Sequence, residues 1–405
     1  MRVFVIGAGA SGLMAAIHAA KAGAAVTVLE AMEKPGKKLL TTGNGRCNLT
    51  NRFAQDKGIY RSQTPERAEA VIDQYPPEKT LEDFTSFGLF TTEKQEGGLY
   101  PASGQAATVL EILLLEAARW KVKLKCRERV TQIRRTASGW KIRTETWEYD
   151  ADRVILACGS KAAPATGSDG SGYELAKMAG HRIQKPLPAL VPLKVSDSDI
   201  RALDGVRCPA KVTLQIETKR YESEGELQWT GYGVSGIVIF QISRYAVCAL
   251  EQKKIPFLSV NLLGKADTKT ILETMETSLK THPGRTNEEL FTGLFPKKLV
   301  SFLIKRAGFK GNQAAESGSI RRILDAALAI RLTVSGSKSF EAAQVCSGGI
   351  PLTEIYTETM ESKIAPGLYL TGELLDADGP CGGYNLQWAW STGAIAGKNA
   401  GVEKT

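Results

Sequence analysis

Residues 2–12 read Arg-Val-Phe-Val-Ile-Gly-Ala-Gly-Ala-Ser-Gly, and this stretch decides the fold. A short apolar run that ends in glycine predicts a buried parallel strand. The Ala-rich residues 11–22 predict a helix that ends at Gly23, and residues 25–29 predict a second strand. The chain therefore begins with a strand–helix–strand unit.

A glycine loop, Gly7-Ala8-Gly9-Ala10-Ser11-Gly12, joins the first strand to the first helix. In this spacing Gly7 permits a tight turn, Gly9 lets backbone N–H groups approach a pyrophosphate, and Gly12 lets the helix pack closely on the strand. Glu30 ends the second strand 18 residues after Gly12, where its carboxylate can accept hydrogen bonds from an adenosine ribose and disfavours a 2′-phosphate. An incidental glycine turn is the alternative, but the strands, the helix and the acid together favour a dinucleotide site.

The fingerprint does not distinguish NAD from FAD as the cofactor. A cation-rich loop at residues 34–51 helps to distinguish them. Its cations would lie near phosphates, and its asparagine amides offer donors and acceptors to a polar ring system. These residues are Lys37, Lys38 and Arg46, and Asn44, Asn48 and Asn51. A polar surface loop is the alternative.

A second glycine-rich loop, residues 372–385, joins the last predicted strand to the last predicted helix. The open N–H groups near Asn385 and Leu386 would face an electron-rich carbonyl. The N1–C2=O2 edge of a flavin gains negative charge on reduction, and a helix N-terminus stabilises such charge. Glu373 or Asp376 could instead bond a ribityl chain, and a purely structural loop is the alternative.

The composition excludes several function classes. The 405 residues include 52 Lys and Arg against 43 Asp and Glu, a formal charge of +9. This modest surplus predicts a generally basic surface, and an anionic ligand or nucleic acid is the alternative. The three histidines do not support a histidine-rich metal site, and no G-x-S-x-G motif accompanies them to build a hydrolase triad. We therefore expect no metal.

The seven cysteines are scattered, and the closest two, Cys126 and Cys158, lie 32 residues apart. Without a C-x-x-C pair, thioredoxin-type redox chemistry is excluded. An odd, scattered set is typical of the reducing cytoplasm. Residues 3–20 and 379–397 lack Asp, Glu, Lys and Arg, but their glycines and polar side chains argue against a signal peptide and a membrane span. We expect a cytoplasmic protein.

Two motifs, Thr42-Gly-Asn-Gly-Arg-Cys-Asn48 and Gly382-Gly-Tyr-Asn-Leu-Gln-Trp-Ala-Trp390, give the chain a specific resemblance. With the glycine fingerprint, they resemble the flavoprotein family that includes aminoacetone oxidase and a bile-acid-inducible flavoprotein reductase. Members often carry the label NAD(P)/FAD-dependent oxidoreductase and are of the two-dinucleotide-binding-domain type. The resemblance spans nearly the whole chain. It implies noncovalently bound FAD, and inserted β-barrel-like and helical domains that cover the flavin.

Predicted elements and resemblance together give an α/β fold. A Rossmann-like FAD-binding domain is formed by both chain ends, residues 1–187 and 333–405. A β-rich domain at residues 188–264 and a helical domain at 265–332 are inserted between them. Within the first part, residues 121–150 are expected to form several antiparallel strands.

The resemblance also implies which residues hold the cofactor. The ADP half would lie against Gly7, Gly9, Ala10, Ser11, Gly12, Glu30 and Ala31, with Val130 at the adenine. The residues that line the pyrophosphate and flavin would be Lys37, Lys38, Asn44, Gly45, Arg46 and Cys47. The backbone of Ala157, Cys158 and Gly159 would run beside the cofactor. The isoalloxazine end would be closed by Gly372, Glu373, Asp376, Gly382, Gly383, Asn385 and Leu386.

No catalytic residue is assigned from the sequence. Many relatives have a histidine where this chain has Gly231, so a role of that histidine does not transfer. Cys47 lies in a loop rich in cations and glycine, which would lower the pKa of its thiol. Tyr100 and Tyr384 could each donate a proton to a substrate, and packing is the alternative for both.

The sequence thus predicts an FAD-dependent oxidoreductase that transfers a hydride between a small organic substrate and noncovalently bound flavin. We expect no separate NADPH domain like that of disulfide reductases, so NAD(P)H would dock transiently, or oxygen would complete the cycle. Two alternatives are an RNA-modifying flavoprotein that uses its basic surface and a flavin-binding scaffold without turnover. We expect a small-molecule partner rather than nucleic acid or a membrane, and leave the oligomeric state and the substrate open.

Overall fold

The computed structural model describes residues 1–264 and 266–403. The chain divides into two compact units. Residues 1–188, together with the described residues from Phe340 onward, form the first unit, and residues 189–339 form the second. The predicted division into four segments stays a prediction, and its boundary at residue 265 lies outside the described residues.

The strands are β1 Arg2–Ile6, β2 Ala25–Glu30, β3 Thr50–Asn51, β4 Thr91–Glu93, β5 Gly98–Pro101, β6 Lys123–Cys126, β7 Val130–Thr136, β8 Gly139–Thr144, β9 Glu148–Ala151, β10 Arg153–Leu156, β11 Gln184–Ala189, β12 Leu193–Val195, β13 Arg207–Ile216, β14 Lys219–Thr230, β15 Gly233–Ser235, β16 Phe257–Asn261, β17 Ile330–Ser337, β18 Val345–Gly349 and β19 Leu368–Leu370. The α-helices are α1 Ala10–Lys21, α2 Lys37–Thr41, α3 Pro65–Gln74, α4 Pro77–Phe87, α5 Ala106–Arg119, α6 Ser171–Met178, α7 Ile237–Glu251, α8 Thr268–Thr281, α9 Asn287–Phe291, α10 Lys297–Arg306, α11 Ser317–Leu328 and α12 Tyr384–Gly401.

A five-stranded parallel sheet in the order β19-β10-β1-β2-β6 forms the centre of the first unit. Val5 pairs with Ile155 on one side and Val28 on the other, and all three are fully buried. Strands that are covered on both faces require such continuous apolar runs. The expectation of antiparallel strands over residues 121–150 holds for β7, β8 and β9. It is wrong for β6, because α5 supplies the crossover that brings β6 parallel to β2.

The two chain ends meet in the pair of helices α1 and α12. A Cβ atom at Gly393, Gly397 or Gly401 would overlap a backbone atom of α1. Because these glycines recur every four residues, they lie on one face of α12, which packs backbone to backbone on α1. The predicted Rossmann-like domain made of both chain ends is confirmed.

The second unit contains a closed six-stranded barrel in the order β12-β15-β14-β13-β16-β17. Alternate residues of its strands are buried, as the pairs Val212–Val260 and Leu214–Leu258 show. This period-two pattern is typical of a strand with one apolar face. Helix α7 and the run from α8 to α11 complete the unit. The predicted inserted β-barrel-like and helical parts are confirmed.

Candidate functional site

The glycine fingerprint forms the turn between β1 and α1. Gly7 adopts φ +105°, and its N–H donates to the Leu29 carbonyl oxygen at 2.8 Å. A Cβ atom at Gly12 would overlap the Gly7 carbonyl oxygen, so helix and strand approach as closely as the spacing predicts. A Cβ atom at Gly9, by contrast, would meet no atom within 4 Å. Open space therefore lies at the start of α1.

That helix start is suited to an anion. The Leu13 N–H donates to the Gly9 carbonyl at 3.0 Å, so the N–H groups of Ala10, Ser11 and Gly12 precede the first intrahelical bond. Such groups and the helix dipole attract phosphate.

Glu30, at the end of β2, is held beside the fingerprint by two backbone groups. Its carboxylate accepts hydrogen bonds from the N–H of Ala8 at 2.7 Å and of Met32 at 2.8 Å. The carboxylate has further lone pairs for the hydroxyls of a ribose. The half-buried Ala31 follows directly.

Val130 is brought to the same end of β2 by its neighbours. The N–H of Arg127 donates to the Met32 carbonyl, and that of Glu128 donates to the Glu30 carbonyl, at 3.0 and 2.9 Å. Val130 itself is buried at the start of β7. The structure thus brings together the residues predicted for the ribose and the adenine.

The end of β10 passes beneath the fingerprint. The Ala157 N–H donates to the Ile6 carbonyl at 2.8 Å, and a Cβ atom at Gly7 would lie 2.5 Å from the Ala157 oxygen. Burial raises the pKa of Cys158 to about 12, and the carboxylates of Glu30 and Asp169 add to the shift. The thiol therefore stays protonated, and Gly159 follows with φ +73°.

An ion pair links the two glycine-rich loops. Lys38 Nζ lies 2.6 Å from Glu373 Oε2 and 3.2 Å from the Ala162 carbonyl oxygen. Ser160 Oγ donates to the same Glu373 oxygen at 2.8 Å. Gly372 lies close to the fingerprint, since a Cβ atom there would be 2.6 Å from Ser11 Oγ. Fingerprint, cation-rich loop and last strand therefore meet at one place.

The remaining residues of the cation-rich loop are mostly exposed. Lys37, Asn44, Gly45 and Arg46 face solvent, and Asn44 adopts the left-handed conformation with φ +54°. Cys47 is fully buried, and its N–H donates to the Thr42 carbonyl at 3.0 Å. Burial raises the pKa of Cys47 to about 12. The expectation that this loop lowers the pKa of the thiol is wrong, because loss of solvation outweighs the hydrogen bond with Thr42, which lowers the pKa.

The start of α12 lies against residues 48–50. Gly383, the residue before α12, has φ +98°, and a Cβ atom there would lie 2.8 Å from Asn48 Oδ1. Asn48 Oδ1 is buried and has no hydrogen-bond partner in the described part of the chain. Gln387 N–H donates to the Gly383 carbonyl at 3.0 Å, so the N–H groups from Tyr384 to Leu386 precede the first intrahelical bond.

Two predicted side chains are engaged by backbone groups of the protein. The Asn385 amide bonds both backbone groups of Gly379, at 2.8 and 2.9 Å, so its side chain shapes the loop. The buried Asp376 carboxylate accepts from the N–H of Gln63 and of Gly348, each at 3.1 Å. Of the two acids predicted for a ribityl chain, Asp376 is thus engaged by backbone N–H groups of two other segments. Gly382, which accepts from Asn51 Nδ2 at 2.9 Å, likewise helps to fix this loop.

The motif from Gly382 to Trp390 contains positioning residues that sequence reasoning did not assign. Trp388 Nε1 donates to the Gly372 carbonyl at 3.0 Å, and Trp390 Nε1 donates to the Leu49 carbonyl at 2.8 Å. Gln387 Oε1 accepts from Thr50 Oγ1 at 2.5 Å. Helix α12 thereby holds both glycine-rich loops. A glutamine directly before two tryptophans, in Gln387-Trp388-Ala389-Trp390, is the signal that could have indicated this role.

These features fit FAD. Open space and free N–H groups at α1 suit the pyrophosphate, Glu30 suits the ribose, and the orphaned Asn48 oxygen and the α12 start offer hydrogen bonds to a polar ring. Lys38 and Arg46 supply positive charge for the phosphates.

A family model described as "HI0933-like protein Rossmann domain" matches residues 1–399. The chain belongs to this family. A 45% identical relative, 3-dehydro-bile acid delta(4,6)-reductase from Clostridium scindens, covers 98% of this chain and 98% of its own length. The ribosomal RNA dihydrouridine synthase of Haemophilus influenzae is 30% identical over 96% of this chain and 95% of its own. Family membership and the 45% identical reductase confirm that this HI0933-like chain is an FAD-dependent oxidoreductase.

The fold of the HI0933-like chain is similar to that of a solved structure. The 3-ketosteroid delta1-dehydrogenase from Sterolibacterium denitrificans matches with a TM-score of 0.53 at 12% identity, over 98% of this chain and 99% of its own. At this identity the likeness concerns the fold alone. None of the helices in the described part of the chain combines the length and apolar character that a membrane crossing requires.

Proposed function

We propose that this chain reduces a C=C bond conjugated to a carbonyl group, with reduced FAD as its source of hydride. The observation that carries this proposal is the chemistry shared by two relatives that match nearly the full chain. A delta(4,6)-reductase of a 3-dehydro bile acid acts on double bonds near a ketone. A dihydrouridine synthase saturates the uracil double bond, which is conjugated to a carbonyl.

We infer that the cofactor is held by the predicted site residues as the structure arranges them. Glu30 binds the ribose, the start of α1 binds the pyrophosphate, and the start of α12 faces the flavin carbonyl. The ion pair of Lys38 with Glu373 fixes the two loops between these points. When bound, FAD supplies the hydride, and the chain supplies orientation, electrostatics and the proton.

The substrate class we favour is a small, largely apolar enone such as a 3-oxo steroid or bile acid. The 45% identical relative supports it more strongly than the 30% identical one supports RNA. NAD(P)H is the electron donor we propose. It docks transiently, because the second G-x-G-x-x-G spacing, residues 231–236, lies at the antiparallel strands β14 and β15 of the barrel and not in a strand–helix–strand unit. The cysteines are odd in number and scattered along the sequence without a C-x-x-C pair, which supports the cytoplasm as the compartment.

Anaerobic half-reactions test this proposal. The FAD-loaded chain is reduced with NADH, NADPH or dithionite and mixed with a 3-oxo-delta(4,6) bile acid, a 3-oxo-delta(4) steroid and the matching saturated ketone. We expect the enones, but not the saturated ketone, to restore the oxidised flavin spectrum and to gain two hydrogens by mass spectrometry. Reoxidation by oxygen alone, with every enone unchanged, would contradict the proposal and indicate an oxidase.

A uridine in RNA is the second candidate substrate. The relative from Haemophilus influenzae favours it, and so do exposed cations on β6 and β7, namely Lys123, Lys125, Arg134 and Arg135. Binding through phosphates weakens steeply as salt rises. If a uridine-containing RNA is not retained at low salt and does not reoxidise the reduced chain, this candidate is excluded.

A further inference from the structure

Addition of two hydrogens across a conjugated C=C bond needs a proton as well as a hydride. The hydride reaches the carbon remote from the carbonyl, and a proton must reach the carbon next to it. The site described above offers backbone N–H groups, carboxylates and protonated thiols with pKa values of about 12. Its two cations are the Lys38 ammonium, which is bound to Glu373, and the Arg46 guanidinium, which keeps its proton. None of these is a ready proton donor, so the proposed reaction requires another group.

We propose that Tyr100 is this donor: its O–H bond breaks as a C–H bond forms beside the substrate carbonyl. The inference rests on the proposed function. The hydride and the proton together reduce the enone, the flavin is oxidised, and the Tyr100 phenolate regains its proton from water.

The first support is position. Tyr100 lies on β5, whose neighbour Leu99 accepts from the Leu49 N–H at 2.7 Å. Its ring lies beside the cation-rich loop, since a Cβ atom at Gly43 would be 3.8 Å from Tyr100 Cε1. A Cβ atom at Gly98 would be 3.3 Å from both the ring and the Asn48 amide nitrogen. Tyr100 thus lies next to the loop proposed to line the flavin and next to the unpartnered Asn48 amide oxygen.

The second support is availability. The phenol is half-buried, and its hydroxyl has no hydrogen-bond partner among residues 1–264 and 266–403. By contrast, the Tyr60 hydroxyl is buried and donates to the Tyr384 carbonyl at 3.0 Å, and Tyr75 is bonded to Asp83. Tyr100 is therefore free to bond a substrate.

The third support is charge, because a phenol that gives up its proton leaves a phenolate. The Lys94 ammonium lies 4.6 Å from the centre of the Tyr100 ring. Burial raises the pKa of Tyr100, so the proton is present at neutral pH, while Arg46 lowers the pKa and favours the phenolate. Tyr384 differs, because Asp56 and Glu96 both raise its pKa and oppose a phenolate.

Tyr100→Phe tests the inference, and Tyr149→Phe is the matched control, because Tyr149 on β9 is also half-buried and the Lys125 ammonium lies 4.8 Å from its ring centre. Each chain is loaded with FAD, reduced anaerobically and mixed with the enones. We expect Tyr100→Phe to slow reoxidation by about 10²–10⁴-fold, the range for loss of a general acid. FAD affinity and enone affinity of the oxidised chain, measured from flavin fluorescence and absorbance, should stay within about threefold. Tyr149→Phe should match the parent.

The pH profile separates a chemical role from a structural one. Reoxidation of the parent should fall at alkaline pH as Tyr100 ionises, and this fall should be absent in Tyr100→Phe. A Tyr100→Phe rate within twofold of the parent, or an unchanged alkaline fall, would overturn the role of Tyr100 alone. Failure of the parent to react with any enone would overturn the proposed function, and the role of Tyr100 with it.

Discussion

The ammonium group of Lys38 lies 2.6 Å from the carboxylate of Glu373, although 335 residues separate them in the chain. Each side chain is about one-fifth exposed, so the pair is only partly solvated. Ser160 donates to the same carboxylate at 2.8 Å. The pair therefore joins the loop after the second strand to the loop after the last one, and cofactor binding should depend on it.

Lys38→Met should weaken FAD binding, because the Glu373 carboxylate would face the cofactor phosphates unpaired. We expect FAD affinity to fall roughly tenfold, which corresponds to about 1.4 kcal/mol of binding free energy. Titration of the apo chain with FAD, followed by quenching of flavin fluorescence, measures it. Lys34→Met removes the same charge from an exposed position and is the control. Equal affinities for the two variants would show that the ion pair does not support the site.

Two glycines of the fingerprint should respond differently to alanine. Gly12→Ala places a methyl group on the Gly7 carbonyl, so it should destabilise the apo chain by about 1–3 kcal/mol. Gly9→Ala meets no atom within 4 Å and keeps an ordinary φ of −82°, so the apo chain should unfold as the parent does. It should nevertheless lose FAD affinity, because the methyl group fills the space for the pyrophosphate. Thermal unfolding and FAD titration separate the two effects, and normal FAD binding by Gly9→Ala would place the pyrophosphate elsewhere.

Trp390→Phe should destabilise the first unit, because Trp390 is fully buried and its indole N–H donates to the Leu49 carbonyl. Removal of the donor leaves a buried carbonyl unpaired and creates a small cavity. We expect the unfolding free energy to fall by about 2–4 kcal/mol. Urea unfolding measures it. Trp147→Phe, at a side chain that is 64% exposed, should change the unfolding free energy by less than about 0.5 kcal/mol. Similar losses in both variants would argue against a positioning role for Trp390.

Acid should destabilise the chain through His181. Its ring bonds Glu354 Oε2 at 2.9 Å and Ser362 Oγ at 2.8 Å in a buried cluster. Burial lowers the pKa of His181 from 6.5, and the Glu354 carboxylate only partly offsets this. The unfolded chain therefore binds the proton more strongly, so the unfolding free energy should be flat above pH 6.5 and fall below it.

Urea unfolding between pH 5 and 8 measures this slope. His181→Gln should flatten the profile between pH 6.5 and 5, and His282→Gln, at an exposed position, should leave it unchanged. The pKa of Glu354 is also lowered, by Arg182 and His181 against the effect of burial, so a further loss near pH 4 should remain. A parent profile that stays flat down to pH 5 would contradict the assignment.

Much of the nucleotide-binding fold followed from local pattern. The glycine spacing between an apolar run and an Ala-rich segment strongly restricts the backbone conformation of the turn. The turn at Gly7 and the close packing at Gly12 have the expected form. Helix α4 was not predicted, because two prolines at its start resemble a turn, although Pro77 stands at the first helical position, where proline is favoured. The parallel placement of β6 depends on the crossover through α5, which no short window contains.

Side-chain partners were harder to predict, because they come from distant parts of the chain. The Trp390 indole donates to the Leu49 carbonyl, and Ser160 completes the ion pair of Lys38 with Glu373. The sequence around Cys47 shows cations but not the burial that decides the pKa of its thiol. Long-range packing, which a single sequence does not display, settles each of these outcomes.

The glycine face of α12 has a consequence for biosynthesis. Residues 384–401 are translated after residues 189–339, so the barrel unit is complete on the ribosome while the first unit still lacks the helix that packs on α1. Both loops that α12 holds stay open until then. We therefore expect a nascent chain to capture its flavin only after α12 has been made, so ribosome-bound chains stalled before residue 384 should be colourless.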